Sequence, residues 1–216
     1  MRKSNGILIF LLSVALCMTL AMGQKAYADP INVGDTIYLS TMVSGFNGGP
    51  FGVRSSPTGG PLFITFCLER DEYFYPNQGY TVYNISDTAT AGGANTNGGD
   101  LLDPRTAYLY TMFRNQQLSS LINFDYNNSD HLISLQKAIW LIEEEISSTD
   151  DVFANALVVL AAGKWTDIGN VRVINLGVDG RNQDQLVLVP EPTTLLLLGS
   201  GLIGLALFRR YRRRAN

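Results

Sequence analysis

The sequence predicts an α+β domain with a β lobe and a small helical lobe, joined to a C-terminal transmembrane helix. Three observations predict it. Runs of β-branched and aromatic residues lie at both ends of the stretch 29–189, segments of helical periodicity with capping residues fill its middle, and an unbroken apolar run at 193–208 precedes a cluster of arginines.

At the start of the chain, Arg2 and Lys3 form a basic n-region, residues 7–20 an apolar h-region, and Ala26-Tyr27-Ala28 a small-residue cleavage site. This is a secretory signal peptide over residues 1–28, cut after Ala28 so that the mature chain begins at Asp29. Residues 36–43, 62–68 and 80–85 read as strands, separated by Gly- and Pro-rich turns at 45–50, 57–61 and 76–79. The Gly/Asn tract 91–99 has nothing to pack and reads as a loop. Asp103 as N-cap with Pro104 at N1 opens a helix to about residue 118. Ser129 or Asp130 caps a second helix reaching about residue 147; Asp150 caps a third over 151–162, with Gly163 at its C′ position. Residues 171–176 and 184–189 return to strand, and the last strand runs directly into Pro190.

Composition narrows the function. Residues 29–189 form one ectodomain holding eight Lys and Arg against eighteen Asp and Glu, so it carries −10 where the whole chain carries −3. An acidic ectodomain argues against nucleic acid as a partner. Cys17 leaves with the signal peptide, and the mature chain keeps Cys67 alone. No intramolecular disulfide can form, yet the compartment favours disulfides, so the thiol is buried, paired between molecules or used chemically.

The other end of the chain reads as a membrane segment. After Pro190-Glu191-Pro192, the 16 residues of 193–208 rise about 24 Å as a helix, slightly short of the roughly 30 Å hydrocarbon core, and arginines that snorkel can make up the difference. Arg209, Arg210, Arg212, Arg213 and Arg214 hold that end in the cytoplasm and place the ectodomain across the inner membrane. Together the two ends resemble those of PEP-CTERM proteins, bacterial surface proteins with a cleaved signal peptide and a Pro-Glu-Pro, apolar, Arg-rich tail over residues 190–216. The resemblance implies recognition by a membrane-embedded exosortase, processing near Pro190 to Pro192, and transfer from a membrane-anchored precursor to the cell surface or an exopolysaccharide matrix. The alternative is a plain single-span anchor.

The second helix carries the candidate site. Leu132, Ile133, Leu135, Ile139, Trp140, Ile142 and Ile146 cover one apolar arc, and Gln136 falls inside it, as does Glu143. A buried amide without partners costs about 1–3 kcal/mol, so Gln136 is hydrogen-bonded, reached by solvent or chemically consumed. Cys67, on the apolar strand Thr65-Phe66-Cys67-Leu68, lies 69 positions earlier. Phe66-Cys67-Leu68 and the Gln136, Ala138, Ile139, Trp140 series resemble the two motifs of the thioester domains of Gram-positive surface adhesins. Leu135 stands where that pattern has threonine. The resemblance implies a cross-link between Cys67 and Gln136, with Phe66, Tyr73, Phe74, Tyr75 and Trp140 as candidate walls, that reacts once with an amine or hydroxyl of a surface ligand or exopolysaccharide. Such a protein is a single-use tether and not an enzyme that turns over. The competing reading is a non-covalent structural or carbohydrate-associated envelope protein in which a free buried Cys67 packs beside a hydrogen-bonded Gln136.

His131, the chain's one histidine, is either a base for an incoming nucleophile or a solvated first-turn residue; it sits about 140° around the helix from Gln136. The carboxylates at 69, 71, 72 and 143–145 offer no selectable glycosidase pair. The segment Asp125 to Asp130 lacks the EF-hand glycine and glutamate, so it reads as capping turns and not as a calcium loop. One histidine and one cysteine do not make a zinc centre. No metal or cofactor is expected.

Overall fold

The computed structural model describes residues 29–73, 75–91, 99–177, 182–189 and 199. Its strands are β1 (Thr36–Thr41), β2 (Phe51–Arg54), β3 (Phe63–Thr65), β4 (Gly79–Thr81), β5 (Asn84–Ser86), β6 (Thr88–Ala89), β7 (Asp100–Leu101), β8 (Val171–Asn175) and β9 (Gln185–Leu188). Between β7 and β8 lie the helices α1 (Pro104–Arg114), α2 (Leu118–Ile122), α3 (Ser129–Ile142) and α4 (Val152–Ala161). Antiparallel pairing gives one sheet in the order β3-β2-β1-β4, a second in the order β5-β8-β9, and a small β6-β7 ladder. The α+β class is therefore observed.

The helices do not stand apart as a lobe. Val171, Val173, Leu186 and Leu188 share a core with Leu109, Leu135, Ile139 and Leu157 from three helices. Ile174 and Val187 pack instead with Ile37, Leu39, Phe51 and Val53 of the first sheet, together with Cys67 and Trp140. Alternation along β9 thus covers both faces of the second sheet, which explains why all four of its residues are buried.

Several expected boundaries shift because side chains take up tertiary contacts. Residues 80–85 form two strands in different sheets, since Val82 N donates to Asp35 O while Tyr83 N donates to Asn175 O. The first helix stops at Arg114, with Gln116 left-handed at φ 57°, and restarts as α2. Asn128, not Ser129 or Asp130, caps α3, its side chain accepting from Asp130 N. Asp151, not Asp150, caps α4, accepting from Ala154 N. The second helix ends at Ile142 and not near 147. Glu144 is left-handed, Glu143 accepts Asp103 N, and Glu145 accepts Arg70 N, so the acidic run is spent on holding neighbouring segments.

Asp29, the expected first residue after signal cleavage, is locked into the fold. Its carboxylate accepts from Arg114 Nη1 (2.8 Å), Arg114 Nη2 (2.7 Å) and Leu188 N (2.9 Å), and its own N donates to Leu188 O. The two ends of the ectodomain are therefore joined. Arg114 also lies over the Phe63 ring and donates to Tyr110 Oη. Both partners of the pair are largely buried. Removing one leaves the other charge unpaired, so Arg114→Ala should destabilise by about 3–5 kcal/mol in equilibrium denaturation. An unchanged denaturation midpoint would show that the clamp contributes nothing.

Glu143 gives a pH signature. Burial, with a further push from the Asp103 charge, raises its carboxyl to about 8 against the pull of the Asp103 N–H that it accepts. In the unfolded chain a glutamate titrates near about 4.3. The folded state therefore keeps a proton that the unfolded state releases, so stability falls as pH rises from about 4.3 and levels off above about 8. Glu143→Gln keeps an acceptor for Asp103 N and should flatten this slope, giving a variant more stable than wild type near pH 9, on the order of 2–5 kcal/mol. Thermal unfolding at several pH values reads the outcome, and parallel slopes for the two proteins would contradict it. Burial raises Glu69 and Asp184 as well, so some slope remains in the variant.

Candidate functional site

The segment that follows β3 brings sulfur and amide together. Residues 66–68 continue the β3 line alongside β9, with Leu186 N donating to Phe66 O, Leu68 N donating to Asp184 O, and a bridge pairing Cys67 with Gln185. This fixes the Cys67 side chain on the face between the sheets, where α3 delivers Gln136 from its buried arc. Both residues are 0% exposed. Cys67 Sγ lies 3.4 Å from Gln136 Oε1, and Gln136 Nε2 donates to Cys67 O at 2.8 Å.

The carboxamide oxygen has two further donors. Gly49 N is 3.0 Å away and Cys67 N 3.2 Å, so two backbone N–H groups converge on Gln136 Oε1. Donors arranged this way stabilise negative charge on a carbonyl oxygen under attack, because they need no reorganisation as the charge develops. Sequence reasoning reached Cys67 and Gln136 but missed Gly49, which it left inside a turn. No local signal marks it, since Gly59-Gly60 is an equal pair. A methyl at position 49 would sit 2.5 Å from Gln136 Oε1 and 3.1 Å from Phe66 Cα, so only glycine lets this loop close over the amide.

The electrostatics favour a protonated thiol. Burial pushes Cys67 well up and the nearby Glu69 charge adds to it, while the Gly49 N–H and the Trp140 indole pull less strongly downward. Trp140 Nε1 is buried without a hydrogen-bond partner, so its effect on the sulfur is weak. Buried amide and carboxyl oxygens without partners lie along the neighbouring segment: Glu69 Oε1, Gln183 Oε1 and Gln185 Oε1. Glu69 Oε2 accepts Asp184 N, and Gln183 Nε2 donates to Glu69 O, which ties this group to the strand that carries Cys67.

The other expected residues divide. Trp140, nearly buried, packs with Cys67 and meets the Phe46 ring at 5.7 Å. Phe66 backs the pair from the helical side, edge-on to Phe113 at 5.0 Å. His131 is engaged elsewhere. Its Nδ1 accepts Asp125 N and its ring stacks on Phe153 at 4.3 Å, so it belongs to the start of α3 and not to the walls around Gln136. Tyr73 and Tyr75 are exposed, and Phe74 lies outside the described residues. Asp125 Oδ1 accepts Asn127 N, a capping turn like the one at Asn128. Among the described residues no helix is long and apolar enough to cross a membrane. The expected span 193–208, the cleavage residue Ala28 and the sorting residues Pro190, Glu191 and Pro192 lie outside the described residues, apart from Gly199 within the span.

Residues 188–214 match the family model described as a PEP-CTERM protein-sorting motif. The motif marks the chain as an exosortase substrate, exported and sorted to the cell surface. No curated protein and no solved structure matches the chain. None of these comparisons supports the thioester-domain resemblance of the ectodomain, residues 29–189.

Proposed function

We propose that this sorted surface protein forms an internal thioester between Cys67 and Gln136 and uses it to attach covalently to an amine- or hydroxyl-bearing partner at the cell surface or in an exopolysaccharide matrix. The observation that carries the reading is the Gln136 oxygen, held by the N–H groups of Gly49 and Cys67 with the thiol in contact. A buried Gln that only packed would also have its amide oxygen hydrogen-bonded; what favours the covalent reading is that the mature chain's one thiol touches that same oxygen at 3.4 Å.

In the forming step, sulfur adds to the Gln136 acyl carbon, the C–N bond breaks, and the departing nitrogen takes the thiol proton and leaves as ammonia. The charge on oxygen is met by the two N–H groups while the tetrahedral centre exists. Water is the competing nucleophile, and a pair at 0% exposure keeps it out. In the attaching step, an amine or hydroxyl adds to the same carbon and the C–S bond breaks. Sulfur takes the proton that the nucleophile loses, and each molecule reacts once. Before sorting, the apolar span 193–208 holds the precursor in the membrane; processing near Pro190 to Pro192 delivers the reactive domain to the surface.

Intact mass tests this directly. The purified protein should be lighter than its sequence by one ammonia, and full mass in every preparation would end the covalent reading.

A further inference from the structure

We propose that the cavity on the outer side of the 46–49 loop is a glycosyl-binding subsite that selects the partner for the reactive pair. The proposal deepens the thioester reading and rests on it for the covalent step alone. The cavity measures about 250 Å³ and is lined in part by Phe46, Asn47, Arg70, Glu72, Tyr73 and Gln183. That is below the roughly 300–1,000 Å³ of sites for drug-sized ligands, which suits a single pyranose ring and not a length of polymer.

The lining chemistry points to a sugar. Tyr73 is 75% exposed at the rim, a flat ring with no core to hold it and free to stack on the C–H face of a pyranose. Around it stand the planar polar groups of Asn47, Arg70, Glu72 and Gln183, which offer donors and acceptors in pairs matched to vicinal hydroxyls. Arg70 and Glu72 balance one another, so the cavity has no net charge to choose an anion or a simple cation. Gln183 adds an independent observation. It lines the cavity, is 4% exposed, its Nε2 is committed to Glu69 O, and its Oε1 is buried without a partner, so a hydroxyl that turned this side chain toward the cavity would satisfy it.

The cavity is also in the right place. Phe46 and Gly48 form its inner wall, and the next residue, Gly49, donates to Gln136 Oε1. Behind Gly48 lies the Trp140 ring, close enough that a methyl on residue 48 would fall 2.5 Å from its Cη2. The loop that lines the cavity therefore continues directly into the residue that holds the Gln136 amide. When the loop yields, an amino or hydroxyl group of a bound ring adds to the Gln136 acyl carbon, the C–S bond breaks, and the Cys67 sulfur takes the proton released.

Two measurements separate the claims. First, methyl glucosaminide and methyl glucoside are titrated into the Cys67→Ala protein, which cannot react, with binding followed by calorimetry. Saturable binding that weakens by about tenfold or more in Tyr73→Ala and in Gln183→Leu is expected. Second, adduct formation by the wild type is timed with methyl glucosaminide and with methylamine. The sugar rate should saturate and depend on Tyr73, whereas the methylamine rate should be linear in concentration and unchanged by Tyr73→Ala. No sugar binding, or binding indifferent to both substitutions, overturns the subsite even if methylamine still reacts. Saturable, Tyr73-dependent sugar binding without a methylamine adduct leaves the subsite standing and removes the thioester.

Discussion

Methylamine added to the folded wild-type protein should raise its mass by one methylamine and expose one alkylatable thiol at Cys67, while Cys67→Ala and Gln136→Ala show neither change. The reason is the 3.4 Å contact between Sγ and Oε1 inside a site that excludes bulk water, where a thioester once formed survives until a small amine diffuses in. The two variants separate chemistry from folding. Cys67→Ala keeps the Gln136 amide bonded to Gly49 N, Cys67 N and Cys67 O, so it should fold at a cost of about 1–2 kcal/mol for the lost sulfur. Gln136→Ala strands two buried N–H donors and should cost about 1–3 kcal/mol for each. Both nevertheless abolish the adduct.

Opening the bond should also be felt thermodynamically. A cross-link between positions 69 residues apart closes a long loop, and the chain-entropy argument for such a loop gives about 4 kcal/mol. The amine-treated protein should therefore melt roughly 10 °C or more below the untreated one. Equal melting temperatures together with equal masses would mean that no cross-link was present to open.

Residue chemistry made some of this legible in advance, and long-range geometry hid the rest. Periodicity placed Gln136 on the buried arc of α3 because a helix face depends on neighbours three and four residues away. Export context singled out Cys67, since a lone thiol in a disulfide-forming compartment calls for an explanation. The convergence of Gly49 on Gln136 spans 87 positions, and nothing local distinguishes Gly49 from Gly45 or Gly60. His131 carries the chemistry of a base but lies about 140° around α3 from Gln136. The helix turns it toward Phe153 and Asp125, which five residues of separation already implied. The apolar arc carries the expected helix on through Ile146, but Glu143 and Glu145 accept from Asp103 N and Arg70 N, partners that no local pattern announces. The lobe division failed for a similar reason: strand order along the chain does not say that β8 and β9 return to pack under α1, α3 and α4.

Gly49→Ala is expected to stop the thioester from forming at its normal rate while leaving both reacting residues in place. An added methyl would lie 2.5 Å from Gln136 Oε1 and 3.1 Å from the Phe66 backbone, and the backbone contact cannot be relieved by a rotamer change. The loop must move outward, carrying the Gly49 N–H away from the oxygen that it holds at 3.0 Å. Loss of one such donor slows attack on a carbonyl by about a hundredfold to a thousandfold. Freshly made Gly49→Ala protein should therefore be a mixture rich in the full-mass form, shifting slowly toward the ammonia-deficient form on incubation. Gly60→Ala, whose methyl meets nothing within 4 Å, serves as the control and should match the wild type. Because Cys67 N still donates to Gln136 Oε1, the variant should slow the reaction and not abolish it, which separates it from Cys67→Ala. A Gly49→Ala protein that folds cooperatively and acquires the mass deficit as fast as the wild type would show that the Gly49 N–H holds the amide without assisting its conversion.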